Sequence, residues 1–123
     1  MSTDRELLQA AARAAGMTDL TEWSDAIRDH DSPHWGGPAL HQSGMAGECN
    51  SWNPLTDDGD ALRLAVKLNL WVNVYSPSQS TPQFVNVIFH EPFHDVYEEL
   101  GSDPYAATRR AIVRAAAALG EQQ

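Results

Sequence analysis

Between residues 52 and 75 the hydrophobic pattern changes from helical to alternating spacing, and a single residue, Asn69, is left to make the change. A helix joined to a strand by so short a connector is expected to pack directly on it. Pro54 bars Asn53 from helical geometry, because the proline ring clashes with the residue before it. Thr56 is then the expected N-cap, its hydroxyl able to accept from a backbone N–H one turn on. Asp57, Asp58 and Asp60 fill the first turn, where the positive end of the helix dipole favours anions. Ala61, Leu64, Ala65 and Leu68 follow as an apolar face, with Arg63 and Lys67 four apart on another face. Beyond Asn69, Leu70, Val72 and Val74 alternate with Trp71, Asn73 and Tyr75, the signature of a strand with two distinct faces.

The run WNPLTDDGDALRLAVKL at 52–68 resembles the motif of the phage ABA sandwich family, small proteins of tailed phages and prophages. The run DPYAATRRAIVRAAAALG at 103–120 is similar to the helix that closes members of that family. The resemblance covers the N-terminal helix, 52–75 and 103–120, and leaves out 18–51 and 91–102. It implies an α-β-α layered domain in the cytoplasm of an infected or lysogenic bacterium. It implies no activity, substrate or catalytic residue, so the aspartates of 57–60 are not carried over as a site.

A chain of 123 residues is expected to form one domain, 1–123, with a modest core. One cysteine, Cys49, excludes an internal disulfide and fits a reducing cytosol. No apolar run approaches membrane-spanning length, so no membrane association is expected. Seventeen acidic residues against eight basic ones give a formal net charge of −9, which repels duplex DNA unless basic groups gather on one face. The one local group of cations, Arg109, Arg110 and Arg114, reads as a solvated helix face, so direct nucleic-acid binding is not expected.

Thr3 and Glu6 form a capping box ahead of the apolar stripe Leu7, Leu8, Ala11 and Ala15, and Gly16 suits the C′ position. Met17, Leu20 and Trp23 are expected to fold back on this helix. Residues 24–51 are the least regular part of the chain, with room for a short helix near 24–28 or a strand near 39–41, and a loop this long is a functional candidate. After 76–82, a second strand at 84–89 should pair with 70–75 as a hairpin. Phe93, Val96, Tyr97 and Leu100 have the spacing of a short helix. Asp103 then caps the last helix with Pro104 at its first position, Tyr105, Ile112, Ala116 and Leu119 face inward, and Gly120 ends it. Five of the eight residues 111–118 are alanine, which makes this helix thin.

The expected fold class is therefore α+β, an α-β-α layered sandwich. Its small antiparallel sheet is the hairpin at about 70–75 and 84–89, with a further strand available from 24–51. Helices at about 4–15, 57–68 and 104–119 cover it. Two strands alone are marginal, so a third strand or a second subunit at the hairpin edge should complete them; a homo-oligomer is one expected partner arrangement.

Few constellations suggest chemistry. His90, Glu91 and His94 match H-E-x-x-H, whose zinc chemistry needs both histidines on one helix face; Pro92 breaks that geometry. A site made of His30, His34, His41 and Cys49 has no recognised ligand spacing. The aspartates at 57–60 lack the pattern of a calcium loop. No phosphate loop, nucleophile elbow or redox pair occurs, so neither an enzyme nor a cofactor is expected. Trp71 is expected in the core and Trp52 as a plug, whereas Trp35, among His, Gly and Pro, is a candidate binding anchor. The acidic residues Asp95, Glu98 and Glu99 are candidates to meet a basic partner surface. The expected function is a small non-enzymatic phage or prophage protein that binds a host or phage protein, for instance to inhibit a defence system or regulator. The alternative is a metal-binding protein or metal-dependent hydrolase using His90, Glu91 and His94.

Overall fold

The computed structural model describes residues 3–42, 51–75, 83–90 and 93–121. Helix α1 (Asp4–Ala14) leads to β1 (Leu20–Ser24), β2 (Ala39–Gln42) and β3 (Ser51–Trp52). Helix α2 (Asp58–Lys67), strands β4 (Trp71–Tyr75), β5 (Phe84–His90) and β6 (Phe93–Glu99), and helix α3 (Pro104–Gly120) follow. The α+β class holds, and the strands divide into two antiparallel three-stranded sheets, β1-β2-β3 and β4-β5-β6. Helix α3 lies between α1 on one side and β5 and β6 on the other, while α1 also touches β1 and β2.

Local sequence rules set the helix ends. The Thr3–Glu6 capping box forms, with Thr3 Oγ1 accepting from Glu6 N–H at 3.1 Å and Glu6 Oε1 accepting from Thr3 N–H at 3.0 Å. At the other end of α1, Met17 N–H donates to Ala12 O and Gly16 N–H to Arg13 O, a Schellman motif with Gly16 at φ +76°. Helix α2 ends the same way: Leu70 N–H donates to Ala65 O and Asn69 N–H to Val66 O, with Asn69 at φ +55°. The left-handed turn at Asn69 swings the chain straight into β4. Helix α2 nevertheless lies against α3 rather than on β4, and an apolar groove separates it from that strand. The N-cap of α2 is Asp57, not Thr56: the Asp57 carboxylate accepts from Asp60 N–H at 2.8 Å. Asp103 caps α3 as expected, accepting from Ala106 N–H at 3.1 Å.

The hairpin forms with Trp71 opposite Ile88 and Tyr75 opposite Phe84. Its third strand is β6, where the spacing of Phe93, Val96, Tyr97 and Leu100 suggested a helix. Val96 in the strand and Leu100 just after it are buried while Phe93 and Tyr97 are exposed, so the four residues do not share a face. The open edge of β5 supplied a partner that local periodicity could not reveal. Residues 24–51 contribute β2, as expected near 39–41, but to the other sheet, and no helix forms at 24–28. There Ile27 is fully buried and bridges Trp35, with Ile27 N–H donating to Gly37 O and Gly36 N–H to Ile27 O.

The core joins Leu8, Ala11, Ala12 and Ala15 of α1 to Leu40, Trp52, Leu64, Val85, Val87 and Phe89, with the alanine-rich α3 in the middle. Met17, Leu20 and Trp23 pack at its margin as expected. Small residues let α3 be enclosed on nearly all sides: Ala111, Ile112, Val113, Ala115, Ala116 and Ala117 are all buried. Tyr105, expected inward, is exposed. Gly120 is the last helical residue rather than the stop signal, and its Cα faces the Ala10 backbone so closely that a Cβ there would sit 1.9 Å from Ala10 O. The three arginines expected on a solvated face each reach another element. Arg109 donates to Leu55 O and Asp58, Arg110 to Asp4, and Arg114 to Tyr97 O and Glu98.

Candidate interaction surface

Alternation along the second sheet sorts its side chains onto two faces. The inner face, with Val85, Val87, Phe89 and Val96, carries the core. On the outer face Trp71, Asn73 and Tyr75 of β4 lie in register with Ile88, Asn86 and Phe84 of β5, and those with Asp95, Tyr97 and Glu99 of β6. His90 and Phe93 complete the end of the face. Four aromatic side chains stand open to solvent there: Trp71 is 55% exposed, Tyr75 45%, Tyr97 48% and Phe93 67%. Trp71, expected in the core, lies on the edge strand, and among the described residues no helix covers its side of the sheet.

The rings are ordered among themselves. Phe84 sits between Tyr75 and Tyr97, each 4.8 Å away between ring centres, and His90 meets Trp71 edge-on at 4.3 Å. None of the outer-face residues is Lys or Arg, whereas Asp95 and Glu99 stand on its β6 side. Asn86 lies at the centre and donates from Nδ2 to Asp95 Oδ1 at 3.1 Å. Its own Oδ1 is buried and has no hydrogen-bond partner, the one such side-chain atom among the described residues.

Of the acidic residues expected at a partner surface, Asp95 and Glu99 are on this face and Glu98 is not. Glu98 points inward and pairs with Arg114 of α3. Trp35 belongs to a different place, the loop between β1 and β2, where it is 53% exposed and its ring lies 3.9 Å from that of His30.

That loop is fastened from behind by a buried polar cluster. Asp60 Oδ2 accepts from His34 Nε2 at 2.9 Å and from Asn53 N–H at 3.0 Å, while Oδ1 accepts from Arg63 at 2.7 Å. Asn53 Nδ2 donates to Pro38 O, and Ser32 bonds to Ser51 through their hydroxyls. His34, Asn53 and Asp60 are all buried. The three aspartates at the start of α2 thus have separate tasks: Asp57 caps, Asp58 ties to Arg109, and Asp60 holds the loop. In the sequence Asp60 reads as a dipole partner alone. The signal was present, because Asp60 precedes Leu64 by four residues and so shares the buried face of α2.

His90 and His94 lie on opposite faces of the sheet, His90 against Trp71 and Phe93, His94 stacked on Phe89. Their ring nitrogens therefore do not converge, and Glu91 lies outside the described residues. His30, His34 and His41 also part company, His41 bonding to Ser24 and Cys49 lying outside the described residues. No group of three potential metal-ligating side chains gathers among the described residues. No helix among them is long and apolar enough to cross a membrane.

The class defined by these features is a small α+β domain with one sheet face covered by helices and the other open and aromatic. Comparison with protein families, curated proteins and solved structures gives no match to this chain.

Proposed function

We propose that this chain is a small, non-enzymatic binding protein whose partner is another protein, held on the outer face of the β4-β5-β6 sheet. The observation that carries the reading is the cluster of Trp71, Tyr75, Tyr97 and Phe93, exposed together on one ordered surface. Aromatic side chains supply much of the energy of protein interfaces because they bury a large area with few rotatable bonds, and exposed apolar patches of this kind commonly mark such sites. Asp95 and Glu99 at its margin, with no cation on the face, select a basic partner surface. An arginine of the partner would stack on Phe84 and Tyr97 and pair with Glu99. The resemblance of 52–75 and 103–120 to proteins of tailed phages makes the setting a phage or prophage accessory protein in the cytoplasm of its bacterial host. Inhibition of a host defence system or regulator is the specific form proposed.

The test compares capture from host lysate by the wild-type chain and by an Asp95→Lys/Glu99→Lys variant whose fold is checked by circular dichroism. A stoichiometric protein held by the wild type, released by raised salt and missed by the variant supports the reading. The same proteins on both, or none on either, would overturn it.

A further inference from the structure

Strand β4 is the edge of its sheet, and it lacks the devices that usually keep an edge from pairing. Its sequence, Trp-Val-Asn-Val-Tyr, has no charge, proline or glycine. Both of its sides are open: Trp71 and Tyr75 on the outer face, Val72 and Val74 on the inner face beside the groove, Val74 being 53% exposed. No backbone group among the described residues pairs with its free side. The opposite edge, β6, is protected by Asp95, Glu98 and Glu99.

The strand is also close to a palindrome about Asn73. We infer that two copies of this chain pair antiparallel through β4 about a two-fold axis at Asn73, joining their sheets into one of six strands. An isologous contact must be self-complementary, since each residue meets its symmetry mate's counterpart. In this register Trp71 lies opposite Tyr75 of the second copy, Val72 opposite Val74, and Asn73 opposite Asn73. Every cross-strand pair is like with like in size and polarity, and no charge meets another.

The rows of the sheet continue across the axis. Trp71 extends the ring stack of Tyr75 and Phe84 in the second copy, and Val96, Val87 and Val72 run on to its Val74 and Val85. The central row becomes Asn86, Asn73, Asn73, Asn86, a ladder of amides that ends on the orphaned Asn86 Oδ1 in each copy. Pairing sets the two Asn73 side chains against each other between the Asn86 side chains, polar beside polar along the whole row. The exposed parts of the β4 side chains, with Leu62 and Tyr105 at a groove of about 380 Å³ on the inner side, offer apolar surface of several hundred Å², against the roughly 800 Å² that one partner brings to a standard interface. This pairing goes beyond the heterologous contact proposed above and stands without it: the two share Trp71 and Tyr75, but the pairing rests on the backbone edge of β4 and its near-palindromic sequence.

The test is sedimentation velocity of the full chain over a concentration series, for wild type and Val74→Lys. An antiparallel central pair also brings its Cα atoms to about 4.5–5.5 Å, within disulfide reach. Asn73→Cys in a Cys49→Ser background therefore reports the register. The wild type is expected to dimerise, and Val74→Lys to dimerise at least about tenfold more weakly with an unchanged circular dichroism spectrum. Asn73→Cys is expected to form an interchain disulfide on mild oxidation, whereas Asp95→Cys on the other edge stays uncrosslinked. A wild type that is monomeric throughout overturns the inference, as does a dimer that Val74→Lys leaves equally strong. Should Val74→Lys fail to fold, absence of the Asn73→Cys cross-link, or equal cross-linking from Asp95→Cys, overturns it.

Discussion

His34 Nε2 donates to Asp60 Oδ2 across 2.9 Å, and both side chains are buried, joining the loop after β1 to the first turn of α2. The same oxygen accepts from Asn53 N–H, so one carboxylate closes two connections that are far apart in sequence. Replacing Asp60 by Ala leaves His34 and Asn53 N–H without an acceptor in a site water barely reaches. The expected loss is about 3 kcal/mol of stability, read from urea unfolding. His34→Ala should cost about 2 kcal/mol, and the double variant less than the sum, because the second change removes a partner already lost. Additive costs would show that the two groups do not act together.

Gly120 and Ala10 set the distance between α3 and α1. A methyl group at 120 would meet backbone, not a side chain that can turn aside, since Ala10 O and Ala10 C lie 1.9 Å and 2.7 Å from its position. Gly120→Ala should therefore destabilise by about 2–3 kcal/mol, against the direction of helix propensity. Thermal unfolding gives the sign directly, and a stabilised variant would contradict the close approach.

Arg109 joins α3 to the start of α2 through two bonds of different worth. Its Nε–H donates to Leu55 O at 2.8 Å and its side chain is 17% exposed, whereas the Asp58 partner is 74% exposed. Arg109→Ala should cost about 1–2 kcal/mol, because the part-buried Leu55 carbonyl loses its donor. Asp58→Asn should cost about 0.5 kcal/mol or less and fade in high salt. Chemical denaturation of both variants at two ionic strengths checks the contrast.

The capping box of α1 carries a pH dependence. Glu6 is held below its ordinary value of 4.5, first by the backbone N–H of Thr3 and then by the Thr3 hydroxyl, both donating to the carboxylate. A carboxyl whose value is lowered by folding stabilises the fold above its unfolded value, and this stabilisation disappears as pH falls through the folded one. The difference in Tm between wild type and Glu6→Gln should thus be present at neutral pH and shrink below about pH 4.5. A difference that stays constant from pH 7 to pH 3 would remove the charge of Glu6 from the account.

Local sequence determined those parts of this protein in which each group finds its partner within a turn of chain. The Thr3–Glu6 box, the Asp103–Pro104 start of α3, the end of α1 at Gly16 and the alternation of β4 and β5 are of this kind, and all were legible. The cap of α2 falls one residue beyond the expected Thr56: Asp57 accepts from Asp60 N–H, while the Thr56 hydroxyl donates back to Asn53 O. Tertiary structure decided whatever required a partner distant in sequence. The spacing of Phe93, Val96, Tyr97 and Leu100 fits a helix, and the free edge of β5 made it a strand. The same event placed Asp95 and Glu99 on the aromatic face and sent Glu98 to Arg114. Trp71 alternates like a core residue, yet it is exposed, because no helix among the described residues lies over its face. Gly120 reads as a terminator until Ala10 is brought against it. Side-chain pattern specifies which face an element would bury; which neighbour arrives to cover that face depends on packing across the whole chain.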